Sequence, residues 1–148
     1  VGNEDFMAKT KLTLRQCVDV HNALTQIGSS GNIPTDISYL CAVNQKRLKP
    51  LVEDWKKELQ ILQEQYGMKE PKTKKLLHDS NGRIQFKDPD KAEKYQTLLG
   101  VLNDQENEVD LSTMKTTEFL SQIKAVKGQQ PQIPSVLLEH LLDTVLLD

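Results

Sequence analysis

Apolar positions along this chain recur at two spacings, and the change from one to the other marks out the elements. Leu14, Cys17, Val18, His21, Leu24 and Ile27 follow the three-to-four repeat of one helical face. Thr13 with Gln16 three residues on forms a capping box at its start. Gly28 is expected as the left-handed residue that ends it. A loop of turn residues, Ser29-Ser30-Gly31-Asn32, leads to a longer stripe between Pro34 and Gly67. Ile37, Leu40, Cys41, Leu48, Leu51, Trp55, Leu59, Leu62 and Tyr66 line its face, over a helix roughly 45 Å long at 1.5 Å per residue. So short a loop predicts that the two helices pair antiparallel. Pro50 removes a backbone hydrogen bond inside the long helix, so a kink or break is expected there.

Beyond a charged connector, Lys69 to Lys75, the spacing changes to two. Ile84 and Phe86 alternate with Arg83, Gln85 and Lys87, and Asn81-Gly82 is suited to the positive φ angles of a two-residue hairpin turn. Leu77 is expected opposite Phe86, with Glu108–Thr113 as the third strand that a marginal hairpin requires. Asp88-Pro89 opens a third helix carrying Ala92, Tyr95, Leu98, Leu99 and Leu102. A short helix over Glu118–Ala125 and a Gln/Pro linker at 128–134 follow. Ser135 caps a last helix that is apolar nearly all round. The fold class expected is α+β and mainly helical: a long antiparallel helical hairpin, a small antiparallel β-hairpin or sheet, and a C-terminal helix. Met7-Ala8-Lys9 reads as a natural start. Residues 1–10 are expected to be disordered or extended, and 11–148 to form a single domain.

Composition narrows the function classes. A formal net charge of −2 on 148 residues argues against a generally basic nucleic-acid binder. The charge is unevenly spread, however. From Asn44 to Lys75 there are nine Lys/Arg against five Asp/Glu, and from Asp88 to Glu118 three Lys against eight acids. No apolar run reaches the roughly 18–20 residues that span a bilayer, and the N-terminus lacks a signal-peptide pattern. Cys17 and Cys41 lie within apolar helical patterns, which suits reduced, buried thiols in a disulfide-free cytosolic protein.

The candidate chemistry is sparse. Cys17 and His21 are four apart on one helix, and Cys41 could approach from its neighbour. Three soft ligands make an incomplete zinc site, and no fourth stands at recognisable spacing. The same Cys–His couple lacks the strained elbow or glycine-rich loop of a nucleophile site. Gly28–Asn32 is a helix–helix turn without the G-K-[ST] of a phosphate cradle. Lys46, Arg47, Lys49, Lys56 and Lys57 are interrupted by acids and lack aromatic stacking partners. Neither catalytic residues, nor metal ligands, nor a cofactor are therefore expected, and nucleic acid is expected only as a minor reading, through Lys72-Thr73-Lys74-Lys75. The residues assigned to interaction are those of the tail: Leu137, Leu138, Leu141, Leu142, Val145 and Leu146. One helix face buries only part of that set, so the rest would meet a protein partner or a second copy. The competing arrangement has Thr144–Leu147 leave the helix and pair with Val109–Leu111.

The order of these features carries a resemblance. Lys11-Leu12-Thr13 enters a helix, and Ile33-Pro34 with Ser38-Tyr39 starts a long charged one ending Glu64-Gln65-Tyr66-Gly67. Asp79-Ser80-Asn81-Gly82, Phe86-Lys87-Asp88, Leu98-Leu99 and Glu108-Val109-Asp110-Leu111 follow, and then a Leu-rich acidic tail. In this the chain resembles the small, functionally uncharacterised proteins encoded by tailed phages and prophages. It departs from them in the Pro71 connector and the longer 128–132 linker. The resemblance implies a phage origin and an α+β fold dominated by a helical hairpin, and it brings no catalytic residues. The function expected is that of a non-enzymatic accessory protein working by protein–protein contact, in virion structure or assembly. The alternative is an intracellular inhibitor of a host defence protein, and the third reading a nucleic-acid-binding accessory protein. The expected location is the host cytoplasm during infection, or the virion.

Overall fold

The computed structural model describes residues 7–148, so the first six residues of the expected disordered or extended segment lie outside the described residues. In chain order the elements are β1 (Met7–Thr13), α1 (Leu14–Gly28), α2 (Thr35–Tyr66), α3 (Pro89–Asn103), β2 (Glu106–Ser112), β3 (Met114–Lys115), α4 (Thr116–Lys124), α5 (Ser135–Leu141) and β4 (Leu146–Leu147). The fold is α+β and mainly helical. No helix among the described residues is long and apolar enough to cross a membrane. The chain forms two compact units, one from the chain up to Val52 with Glu106–Asp148, the other from Glu53–Gln105.

In the first unit α1 and α2 are the expected antiparallel pair. Gln45 donates to the Thr25 hydroxyl at 2.8 Å, and a Cβ on Gly28 would sit 3.4 Å from that of Cys41. The partners advance in opposite directions along the two helices. The Thr13–Gln16 capping box forms as the sequence requires. Gly28 departs from expectation: it is the last residue of α1, without a positive φ, and that conformation falls instead on Asn32, φ 64°. Asn32 then donates to Gln129 O at 2.7 Å and so ties the 128–134 linker to the helix–helix loop.

Glu106–Ser112 is a strand, as expected, but it pairs with β1 and not with the Asn81-Gly82 hairpin. Residues 7–13 hold the reason. Thr10 and Leu12 sit opposite Val109 and Asn107, while Lys9 and Lys11 sit opposite Asp110 and Glu108. One face of the ribbon then carries Leu12, Val109 and Leu111, and the other matches opposite charges across the strands. Leu12, Val109 and Leu111 are buried in the main core with Leu24, Ile27, Ile37, Leu48 and Phe119.

The last helix is shorter than expected and stops at Leu141. The Thr144 hydroxyl donates to the carbonyls of His140 and Leu141, and Asp143 takes a φ of 65°. A hydroxyl on the terminal carbonyls offers the backbone an alternative to another helical turn. The released tail turns back so that Leu146–Leu147 pairs in parallel with Met114–Lys115, not with Val109–Leu111.

In the second unit α2 continues to Tyr66. It runs unbroken through Pro50, which lies on an exposed face where water can replace the lost bond. Asp88 caps α3 by accepting from the Lys91 amide at 2.9 Å, with Pro89 at the first helical position. Between the two helices lies a small β-structure. His78 bridges Ile84 and Lys69 bridges Leu76, both antiparallel, which places Leu77 opposite Gln85 and not Phe86. The turn is also not the two-residue type. Gly82 N–H donates to Asp79 O at 3.0 Å and Gly82 alone has a positive φ, 77°, while Asn81 keeps the ordinary region. This is a type I turn closed by a left-handed glycine. The Asp79 carboxylate sets it by accepting the amides of Asn81 at 2.8 Å and Arg83 at 3.0 Å.

Candidate interaction surfaces

The six tail residues singled out from sequence divide between interior and surface. Val145 and Leu146 have 0% and 1% of their surface exposed, Leu141 is equally closed, and Leu137 is buried with them. Leu138 is half-buried against the same core. Only Leu142 stays open, at 43%. The turn at Asp143 causes this division: it sends Val145 and Leu146 inward where a continued helix would have carried them on around its axis. Met114 N–H donates to Val145 O at 3.0 Å and the Thr116 hydroxyl to Leu147 O at 3.1 Å, which fixes the returning strand.

Beside that strand lie apolar side chains outside the six: Leu120 and Leu147 are exposed, as is Leu142. Val136, near the start of α5, is exposed too. Leu120 stands one helical turn beyond Thr116, which holds the Leu147 carbonyl, and Leu142 bridges Leu146. The openness of Leu142 and Leu147 could not be read from spacing, because it follows from where α5 stops.

Cys17 and Cys41 are free thiols, both buried. Removal from water disfavours the thiolate and pushes each up to about 11. His21, four residues after Cys17, is half-buried. Among the described residues no three His, Cys, Asp or Glu side chains gather into a group that could hold a metal ion. Of the basic residues on α2, Arg47 donates to Asp110 O at 3.1 Å and so serves the fold, while Lys46, Lys56 and Lys57 are exposed.

Asn44 is a residue that periodicity misses. It is a fully buried polar side chain on α2. Its Nδ2 donates to Ser112 O at 2.8 Å, and its Oδ1 accepts from Ser112 N–H at 2.7 Å. The amide thus imitates a neighbouring strand, and with Arg47 one turn later it closes the edge of β2 that β1 leaves open. A shallow depression of about 410 Å³, bordered by Ile33, Pro34, Gln122 and Val126, lies beside the start of α2. No convergent set of titratable groups faces it.

Electrostatically, the most unusual stretch is 67–87 in the second unit. The charged connector is a closed loop: Glu70 N–H donates to Lys75 O, and Lys74 N–H to Glu70 O. The Glu70 carboxylate accepts from the amides of Thr73 and Lys72. The Thr73 amide, then the Thr73 hydroxyl and the Lys72 amide, hold its carboxyl below the usual range.

Comparison with protein-family models, with curated proteins and with solved structures finds no match to this chain.

Proposed function

We propose that this chain is a phage-encoded accessory protein that works by protein–protein contact, in virion structure or assembly, and not by catalysing a reaction. The observation that supports this reading is the exposed apolar group around the returning tail: Leu120, Leu142 and Leu147. Three large aliphatic side chains on short, hydrogen-bonded elements present a pre-ordered apolar surface, which lowers the entropy cost of docking. Val145 and Leu146 anchor that surface in the core, so a partner would meet a fixed shape. The buried thiols, pushed away from the reactive thiolate form, add no competing chemistry.

Mass spectrometry of purified virions tests the reading. Recovery of the chain at a fixed number of copies per particle is the expected result. Absence from particles, with accumulation in the host cytoplasm early in infection, would replace it with the inhibitor of a host protein. Light scattering across micromolar concentrations, on the wild type and on a Leu142→Glu, Leu147→Glu variant, reports whether the partner is a second copy.

A further inference from the structure

Resting on the protein-contact reading above, we infer that the β-lobe spanning residues 67–87 is a docking surface for an acidic segment of a protein partner. The segment carries six cations, Lys69, Lys72, Lys74, Lys75, Arg83 and Lys87, against two acids, Glu70 and Asp79. That local +4 (6 − 2) stands out in a chain of net charge −2.

What the acids do is more informative than their number. The Glu70 carboxylate is committed to the amides of Lys72 and Thr73, and the Asp79 carboxylate to those of Asn81 and Arg83. Each acid is built into the backbone of its own turn and is directed at main-chain donors. All six cations are exposed, and among the described residues none of them forms an ion pair. Elsewhere Lys11 is within 3.8 Å of Glu106 and Arg15 within 3.3 Å of Asp19. The lobe is therefore held together by its carboxylates while its positive charge is turned outward. A frame of backbone bonds among Met68, Leu77 and Gln85, each 2.8–3.0 Å, presents that charge on closed loops.

The chemistry favours carboxylates over a phosphate backbone. The nearby aromatic ring, Phe86, is half-buried and packs on Tyr95 at 5.2 Å between centroids, so it offers no face for a base to stack on. Duplex nucleic acid carries a charge about every 1.7 Å and would run past so small a lobe into the field of a net-negative chain. A short acidic protein segment meets the lobe alone.

The test uses the full chain and fluorescence anisotropy with three labelled probes: an eight-residue poly-aspartate peptide, an eight-nucleotide single strand and a twenty-base-pair duplex. The expected result is that the peptide binds more tightly than either oligonucleotide and weakens as salt rises from about 50 to 200 mM. A Lys72→Glu, Lys74→Glu, Lys75→Glu variant should lose at least about tenfold in peptide affinity. A Lys115→Glu, Lys124→Glu, Lys127→Glu variant, equal in net charge, should lose less than about twofold. Should the first variant fail to fold, Lys72→Gln with Lys75→Gln neutralises without reversing and should still lose about threefold. An oligonucleotide that binds as tightly as the peptide overturns the inference, as does no peptide binding, or equal losses in the two charge-reversal variants. The virion measurement is independent. Virion copies with no peptide binding would leave the virion reading standing and remove the lobe, and lobe-dependent binding by a chain absent from virions would keep the lobe and replace the virion with a host protein as partner.

Discussion

Replacing Asn44 by Leu asks whether one buried amide holds the edge of the β1–β2 ribbon. The side chain has no exposed surface and makes two bonds, 2.8 Å to Ser112 O and 2.7 Å from Ser112 N–H. Leucine shares the branched shape and can satisfy neither group. Each orphaned backbone group costs about 1–3 kcal/mol, and the gained apolar burial offsets about 1 kcal/mol of the sum. The net loss should be about 1–5 kcal/mol, a large share of the roughly 5–15 kcal/mol typical of a folded domain. With a urea slope of about 2 kcal/mol per molar, the midpoint should fall by about 0.5–2.5 M. Arg47→Ala, which removes one bond of 3.1 Å from an exposed side chain, should cost no more than about 1 kcal/mol. Asn44→Asp separates donor from acceptor. It keeps the oxygen that accepts Ser112 N–H and turns the donor into an anion facing a carbonyl. Its folded-state pKa would be raised, so the stability it contributes is present below the unfolded value near 3.9 and is lost as pH rises through the folded one. This variant should therefore gain stability on acidification relative to Asn44→Leu. Amide hydrogen exchange supplies the local readout: Ser112 should lose protection in Asn44→Leu before Leu111 does. An unchanged urea midpoint with Ser112 still protected would refute the reasoning.

The thiols give a second measurement. Native protein at pH 7–8 should leave Cys17 and Cys41 unlabelled by a thiol reagent over the time that full labelling takes in denaturant. Both folded values are raised to about 11 from 9.0, so their stabilising effect is complete below pH 9. It should drain away between pH 9 and 11, by roughly 2–3 kcal/mol for each thiol, visible as a falling melting temperature. Gly67→Ala should destabilise by about 1–3 kcal/mol, because its Cβ would lie 2.6 Å from Gln63 O and 2.7 Å from Leu76 Cδ2; urea unfolding measures it. Gly82→Ala meets open space but forces a left-handed alanine, φ 77°, and should cost about 1–2 kcal/mol. In carboxyl NMR Glu70 should titrate below the ordinary glutamate value. Its effect on the turn is present above the unfolded value and fades as pH falls through the lowered one; Thr73→Ala, which removes the hydroxyl, should raise that value part of the way, and Thr73→Pro, which removes hydroxyl and amide together, should raise it further.

What the sequence announced and what it concealed follow from the range of the interactions involved. The α1–α2 pair was readable because its determinants are local: a capping box, a face repeating every three or four residues, a loop too short for anything but reversal. The Asp88 cap and Pro89 were readable for the same reason. The partner of β2 was not. Glu106–Ser112 alternates like any edge strand, and its match with Met7–Thr13 lies in charge and apolar pairing across nearly a hundred residues. The hairpin turn failed differently. Asn-Gly supports two turn types, and Asp79, two residues upstream, chose between them by accepting two amides.

The surfaces show the same limit. The apolar tail was conspicuous, yet composition could not say which of its leucines face inward. That was decided by Thr144, whose hydroxyl engages His140 and Leu141 and lets the chain turn at Asp143. Without the turn Val145 and Leu146 would follow the helix; with it they enter the core, and Leu142 is left open beside Leu147. The basic connector was conspicuous too, but a count of charges treats Glu70 as a partner for its neighbouring lysines. In the fold that carboxylate faces two backbone amides, so the lysines keep their charge unmatched. Charge along a sequence becomes a field at a surface only after the acids have been assigned their hydrogen bonds, and in this lobe both are committed to turns.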